Sequence, residues 1–252
     1  MKSSHAAKLF NAVHKAQVSW KRIKLLMKED TYEDDSLVQK PGMLEVSHVS
    51  FVYPGREKIY EDFNLSATPG QIIGVTGAVA CGKSTLGKTF LCEYPYEGRI
   101  CFHGKELSGM TKAEQNGMVG YLGHDPELFN DSVRNNILLG DDDDPEKYLK
   151  AVCFDGEVAE MEEGMDTIVG NGGVRLSGGQ AQRLALARTL CHKRPVLILD
   201  DPFSALDRKT EEEVFANLRK FTADSIVILL SHRLYMSVSY THLRAHETTL
   251  HL

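Results

Sequence analysis

Gly77-Ala78-Val79-Ala80-Cys81-Gly82-Lys83-Ser84 follows directly on an apolar run at residues 71–76, Gln-Ile-Ile-Gly-Val-Thr. The run has no polar alternation, which is the pattern of a strand covered on both faces. The eight residues after it predict a loop that opens a helix. Their glycines let backbone N–H groups close around phosphate oxygens, and the helix N-terminus adds the positive end of its dipole. Lys83 is placed to reach β- and γ-phosphates, and the Ser84 hydroxyl to ligate Mg²⁺, with Thr85 directly behind. The cofactors implied are ATP and Mg²⁺.

Two further apolar runs, at residues 196–199 and 225–230, have the same composition. Each ends in polar residues: Asp200-Asp201 after one, Ser231-His232 after the other. Three such runs at wide spacing predict a parallel sheet between helices. In open α/β sheets ligands bind at the carboxyl ends of the strands. Asp200 suits Mg²⁺, directly or through water, and Asp201 suits a general base for an attacking water. An acidic pair at a strand end can equally cap a turn; it is the loop at 77–84 that favours the chemical reading. His232 can contact a γ-phosphate and hold the attacking water, although a lone His is more often structural.

Leu176-Ser177-Gly178-Gly179-Gln180 precedes a helix that carries Leu184, Ala187, Leu190 and Cys191. Ser177 and Gln180 make a capping box, which accounts for them structurally. The two glycines add room for close backbone approach by another body, giving a second helix N-terminus ready for an anion. Residues 131–190 read as mostly helical. Within them the acidic run 141–144 ends in an Asp that caps a helix with Pro145 at its first position. Residues 44–53 alternate as a strand ended by Pro54-Gly55.

The whole chain has 252 residues, 42% of them apolar and 25% charged, in the range of a globular α/β protein. A net charge of −6 gives no basic surface for nucleic acid. The five cysteines are scattered without metal-ligand spacing and read as reduced thiols. No apolar run reaches membrane-spanning length, and the first residues lack a signal peptide's apolar centre. Residues 1–30 predict an amphipathic helix with seven Lys/Arg against two acids. It is either an ordinary helix with a solvated basic face or one lying on a membrane surface or a partner. Residues 31–42 read as a polar linker. Residues 238–252 (VSYTHLRAHETTLHL) have neither helical nor strand periodicity and carry three of the ten histidines. They resemble translated adapter sequence and are expected to be foreign to the gene.

With these motifs in this order, residues 43–236 resemble the nucleotide-binding domain of ABC transporters. The loop at 77–84 corresponds to Walker A, Leu176–Gln180 as LSGGQ to the family signature, and residues 196–200 to Walker B. Ser204-Ala205-Leu206-Asp207 resembles the D-loop and His232 the switch histidine. Tyr53 matches the aromatic residue that stacks on adenine, although a strand Tyr needs no such reason. The resemblance implies a P-loop NTPase core with a mostly parallel sheet, a small antiparallel β subdomain and a helical subdomain, about residues 125–180, that carries the signature. It also implies a head-to-tail dimer in which each ATP lies between the Walker A of one domain and the LSGGQ of the other.

The subtype resembles exporters whose membrane helices share the chain. Residues 168–175 (Ile-Val-Gly-Asn-Gly-Gly-Val-Arg) resemble the loop that touches the coupling helices, and residues 1–30 the cytoplasmic end of a last transmembrane helix. A transmembrane part upstream and further strands and a helix downstream are therefore expected, with the domain at 43–237 lying at the cytoplasmic face of the membrane. Three residues depart from the family pattern. Asp201 stands at the catalytic Glu position, His124 at the Gln position of the Q-loop, where it is a candidate for binding Mg²⁺-bound water, and Asn171 where that coupling loop usually has Glu. Asp is shorter than Glu by about 1 Å, and a misplacement of that size can cost on the order of a hundredfold in rate. With LSGGQ intact, the expectation is a heterodimer in which this chain's own site is slow and its signature completes the partner's. A nucleotide-dependent clamp with little hydrolysis and a soluble ABC ATPase without a membrane partner are the alternatives.

Overall fold

The computed structural model describes residues 42–231, apart from 54, 56, 78–80 and 171, together with residues 243–244. The elements run β1 (Leu44–Val52), β2 (Lys58–Ala67), β3 (Ile72–Thr76), α1 (Lys83–Thr89), β4 (Glu97–Phe102), β5 (Lys105–Glu106), α2 (Lys112–Met118) and β6 (Val119–Leu122). They continue with β7 (Asp131–Ser132), α3 (Val133–Leu138), α4 (Pro145–Ala151), α5 (Asp155–Ala159), β8 (Ile168–Val169), α6 (Gly178–Cys191), β9 (Val196–Asp200), α7 (Arg208–Phe221), β10 (Ile226–Ser231) and β11 (Leu243–Arg244). The expected helix at 1–30, most of the expected linker at 31–42, and the tail apart from residues 243–244 lie outside the described residues. No helix among the described residues is long and apolar enough to cross a membrane.

Two main sheets form. One is antiparallel in the order β2-β1-β4-β5; the other runs β11-β3-β10-β9-β6 with parallel pairing throughout. The three apolar runs are thus three adjacent parallel strands, as their composition predicts. Each is buried on both faces, and the alternation of side chains shows what covers them. Leu197, Leu199, Val227 and Leu229 pack with Leu184 and Leu186 of α6 and Val214 and Leu218 of α7. Val196, Ile198, Ile226, Ile228 and Leu230 pack with Leu86 of α1, with Phe90 at its C-terminal cap, and with Val46, Val49 and Leu65 of the antiparallel sheet. Each such side chain contributes about 1.5–3 kcal/mol of burial, so the sheet is the stable frame on which the strand ends are held.

Sequence reading misses β2, β4 and β6. β2 has mostly exposed or half-buried positions and no clean alternation. Four-residue β6 supplies a fourth parallel strand beside β9, too short to leave a periodic signal. Leu243–Arg244 pairs with Val75 and Thr76 although its sequence has no strand pattern.

Helices α3–α5 and the head of α6 form the helical part of the fold. Asp144 caps α4, accepting from Glu146 N at 2.9 Å with Pro145 in the first turn, as the sequence predicts. Helix α1 packs on β9 and β10, and it does so at Gly87. A Cβ there would lie 2.9 Å from Tyr121 Cε2, 3.0 Å from Leu230 Cδ1 and 3.2 Å from Ile198 Cγ2. Gly87 therefore sets how closely the helix behind the phosphate loop approaches the strand ends. Gly87→Val should overpack this seam and cost about 1–3 kcal/mol, read as a lower urea midpoint with an unchanged slope; an unaltered midpoint would show that α1 does not depend on this contact.

Candidate functional site

The parallel strands end level. Leu230 lies between Val75 and Asp200, and Leu229 between Gly74 and Leu199, which in turn pairs with Leu122. The residues that follow, from Gly77, Asp200-Asp201, Ser231 and Gly123-His124, therefore share one edge of the sheet. His232, one residue beyond Ser231, and Ala78, Val79 and Ala80 lie outside the described residues.

At β3 the chain turns through Gly77 and Cys81 into α1. Gly82 caps the helix at φ 94°, a left-handed conformation that favours glycine. A Cβ on Gly82 would meet Ile59 Cγ2 at 2.2 Å, and one on Gly77 would meet Cys81 Sγ at 2.6 Å. Gly82 is thus favoured by its backbone angle, and at both glycines a side chain would force Ile59 or Cys81 to shift. Lys83 Nζ donates to Gly77 O at 2.8 Å and lies 3.7 Å from Cys81 Sγ, so its ammonium stands across the mouth of the loop. Tyr53 reaches the same helix, its hydroxyl 3.4 Å from Thr85 Oγ1. Its ring stands edge-on to Phe51 and Tyr94, with centroids 4.8 and 5.5 Å away. The aromatic group is next to the first turns of α1 and is embedded in a cluster that gives it a packing role.

Asp200 and Asp201 are both buried, at 4% and 6% exposure, yet they are held differently. Asp200 Oδ2 accepts from Tyr121 Oη at 3.3 Å. Burial, and then the neighbouring Asp200 charge, push the Tyr121 phenol well above its usual range, so it remains a donor. Oδ1 of Asp200 has no donor among the described residues. The exposed Ser84 side chain makes no hydrogen bond to a described residue. A carboxylate with one oxygen open and a hydroxyl in the first turn of α1 are hard oxygen donors that fit Mg²⁺. Asp201 adopts a left-handed φ of 51°, which Asp tolerates better than most residues. Its N–H donates to Leu230 O at 2.8 Å, and its carbonyl accepts from Gln182 Nε2 at 2.8 Å and Ser204 N at 3.2 Å. Its carboxylate accepts from Ser231 Oγ at 3.2 Å and lies 4.0 Å from His124 Nδ1.

Ser177 and Gln180 form the expected capping box at α6: Gln180 N donates to Ser177 Oγ at 3.3 Å and Ser177 N to Gln180 Oε1 at 2.8 Å. Gln180 Nε2 also donates to Glu157 Oε2 at 2.7 Å, and Glu157 pairs with Arg183 at 2.6 Å. The two glycines separate. A Cβ on Gly179 would lie 2.9 Å from Ala205 O, so the chain itself approaches closely there; around Gly178 nothing lies within 4 Å. Asp207 is the N-cap of α7, accepting from Lys209 N, Thr210 N and Thr210 Oγ1 at 3.0, 3.1 and 2.6 Å. The Thr210 hydroxyl is the first cause that lowers its pKa. Sequence reading missed this cap, and it missed the bonds that Tyr121, Gln182 and Ser231 make to the acidic pair. Tyr121 and Ser231 stand beside residues it singled out, which is the one signal that could have found them.

A family model described as ABC transporter matches residues 60–204. Among curated proteins, the chain is 34% identical over 236 residues to a probable multidrug resistance ABC transporter ATP-binding/permease protein, YheI, of Bacillus subtilis, covering 90% of this chain and 40% of that protein. It is 37% identical over 216 residues to an ATP-dependent lipid A-core flippase of Pseudomonas aeruginosa, covering 82% and 36%. Among solved structures, a bacterial Atm1-family ABC exporter with ATP bound superposes with a TM-score of 0.73 at 26% identity, covering 89% of this chain and 41% of that one. The chain thus spans about two fifths of the length of the relatives it matches.

Cys81 offers a direct probe of the loop, since its sulfur contacts both Gly77 and the Lys83 ammonium. Alkylation of Cys81 should abolish nucleotide binding, and ATP should slow the alkylation; a modified protein that binds ATP with unchanged affinity would refute this.

Proposed function

The chain belongs to the ABC transporter family, and we propose that it is the ATP-binding part of an exporter whose own nucleotide site is slow. The observation that carries this reading is the level ending of β3, β6, β9 and β10, which gathers the loop, two carboxylates and His124 at one edge of the sheet. Relatives named as a multidrug transporter and a lipid flippase support an exporter. The share of their length matched here makes the whole protein's activity a proposal.

In this reading ATP lies along residues 77–85 with its adenine against Tyr53. The backbone amides from Gly77 to Ser84 and the Lys83 ammonium hold the phosphates. The Lys83 bond to Gly77 O is exchanged for phosphate oxygen on binding, which keeps the ammonium paired throughout. Ser84 and Asp200 hold Mg²⁺, which when bound neutralises phosphate charge and orients the terminal phosphoryl group. His232 is assigned to the γ-phosphate. Asp201 occupies the general-base position and serves it poorly. It is a methylene shorter than Glu, and its carboxylate is engaged by Ser231 and faces His124.

The second half of each site comes from another domain, head to tail. Ser177, Gly178, Gly179 and Gln180 meet the partner's ATP, with Gly178 the uncovered surface. Asp207, as the cap of α7, holds the D-loop between the two sites. The partner is proposed to be a second, different nucleotide-binding domain with a competent base. Exposed Phe129, Ile168 and Val174 form the apolar face for the membrane domain's coupling helices, with residues 1–30 leading to that domain. In this reading the domain at 43–237 lies at the cytoplasmic face of the membrane. A nucleotide-dependent clamp that hardly hydrolyses is the second reading, favoured by the same engagement of Asp201. Asn171 lies outside the described residues.

Steady-state ATP hydrolysis by the assembled pair separates these. Asp201→Glu should raise the rate several-fold, because the longer carboxylate recovers about 1 Å of reach. An unchanged rate, with both signatures and the partner's site intact, would refute the slow-site reading.

A further inference from the structure

The ring of Tyr121 touches three elements at once. One edge faces the backbone of α1, where a Cβ on Gly87 would lie 2.9 Å from Cε2. The other edge faces the loop after β6, where a Cβ on Gly123 would lie 3.4 Å from Cε1. The hydroxyl at its tip donates to Asp200 Oδ2 at 3.3 Å. Burial of the ring, and then the Asp200 charge, keep the phenol protonated, so towards this carboxylate it acts as a donor.

A Tyr on a half-buried strand needs a partner for its hydroxyl, and a nearby carboxylate satisfies that need without any further role. Two features go beyond it. First, an Asp carboxylate turns readily about its last bond, whose preference is broad and two-fold. A donor on Oδ2 removes that freedom and leaves Oδ1 for another partner. The bond is longer than the roughly 2.5–3.0 Å usual between a hydroxyl and an oxygen, so it directs the carboxylate without competing strongly with a cation for its charge. Second, the ring that carries this hydroxyl also separates α1 from the end of β9. Gly87 lies three residues after Ser84, about one turn along the same helix. One side chain thus touches Asp200 and the helix that carries Ser84.

We propose that Tyr121 is the positioning residue of the metal site: its hydroxyl fixes the Asp200 carboxylate for the cation, and its ring spaces the Ser84 turn of α1 from the strand end. The inference rests on the assignment of Ser84 and Asp200 as the Mg²⁺ donors of an ATP site. It divides two tasks within one residue. The hydroxyl governs the metal, and the ring governs the seam at Gly87. Groups that orient a metal ligand typically change metal affinity by about 10- to 100-fold when removed.

Calorimetric titration of ATP into the full chain, once with excess Mg²⁺ and once with EDTA, separates the metal's contribution from the nucleotide's. Mg²⁺ should tighten ATP binding by the native chain. Tyr121→Phe keeps the ring and removes only the hydroxyl. It should bind ATP unchanged in EDTA and on the order of tenfold more weakly with Mg²⁺. In an Asp200→Asn background Tyr121→Phe should cause no further loss, because the hydroxyl acts only through that carboxylate. An equal Mg²⁺ enhancement in native and Tyr121→Phe chains would overturn the inference and leave the nucleotide site standing. So would a loss of the same size with and without Mg²⁺, or a further loss in the Asp200→Asn background. A native chain that binds no ATP, or binds it without regard to Mg²⁺, would overturn the assignment of the metal site and this inference with it.

Discussion

The backbone ladder between β3, β10 and β9 holds everything else in place. Its register sets Val75, Leu230 and Asp200 side by side, so the chain leaves three strands at the same level. The strands are covered on both faces and carry no polar side chain until their last residues. The first unsatisfied chemistry therefore appears at the edge where they stop. A shift of one residue in any strand would turn its side chains to the opposite face. The two cores on either side of the sheet penalise that shift and thereby position the site.

Against this rigid frame, the polar residues divide into two groups. Some have been taken up by the fold. Ser177 and Gln180 cap α6, Asp207 caps α7, and Gly179 makes room for Ala205. Others retain capacity: Ser84, one oxygen of Asp200, and the bare surface at Gly178. The proposed shared-site arrangement draws on members of both groups. A cap such as Ser177 can do both jobs, because it satisfies its helix from one side and faces outward from the other. Asp201 is the exception. Its N–H, its carbonyl and a carboxylate oxygen are all engaged within the fold.

Much of this was legible in the sequence where a residue type answers a local requirement. The three apolar runs, the helix opening after Gly82, Asp144 before Pro145 and the capping box at Ser177 all appear as read. Legibility failed where tertiary context decides. β6 is four residues long, and its identity comes from pairing with β9. β2 is half exposed and lacks alternation. Gly179 read as room for another body, and no local pattern showed that Ala205 of its own chain also packs against it. Tyr121 matters because β6 carries it beneath α1 to Asp200, a proximity between residues 79 apart in sequence that no local pattern announces.

The central claim is that this chain holds ATP at the level strand ends through the loop of residues 77–84. Calorimetric titration of ATP with Mg²⁺ into the native chain and into Lys83→Met tests it most directly. Saturable binding by the native chain, lost in a Lys83→Met protein that melts at the same temperature, is the predicted result. Equal affinity in the two proteins would contradict it.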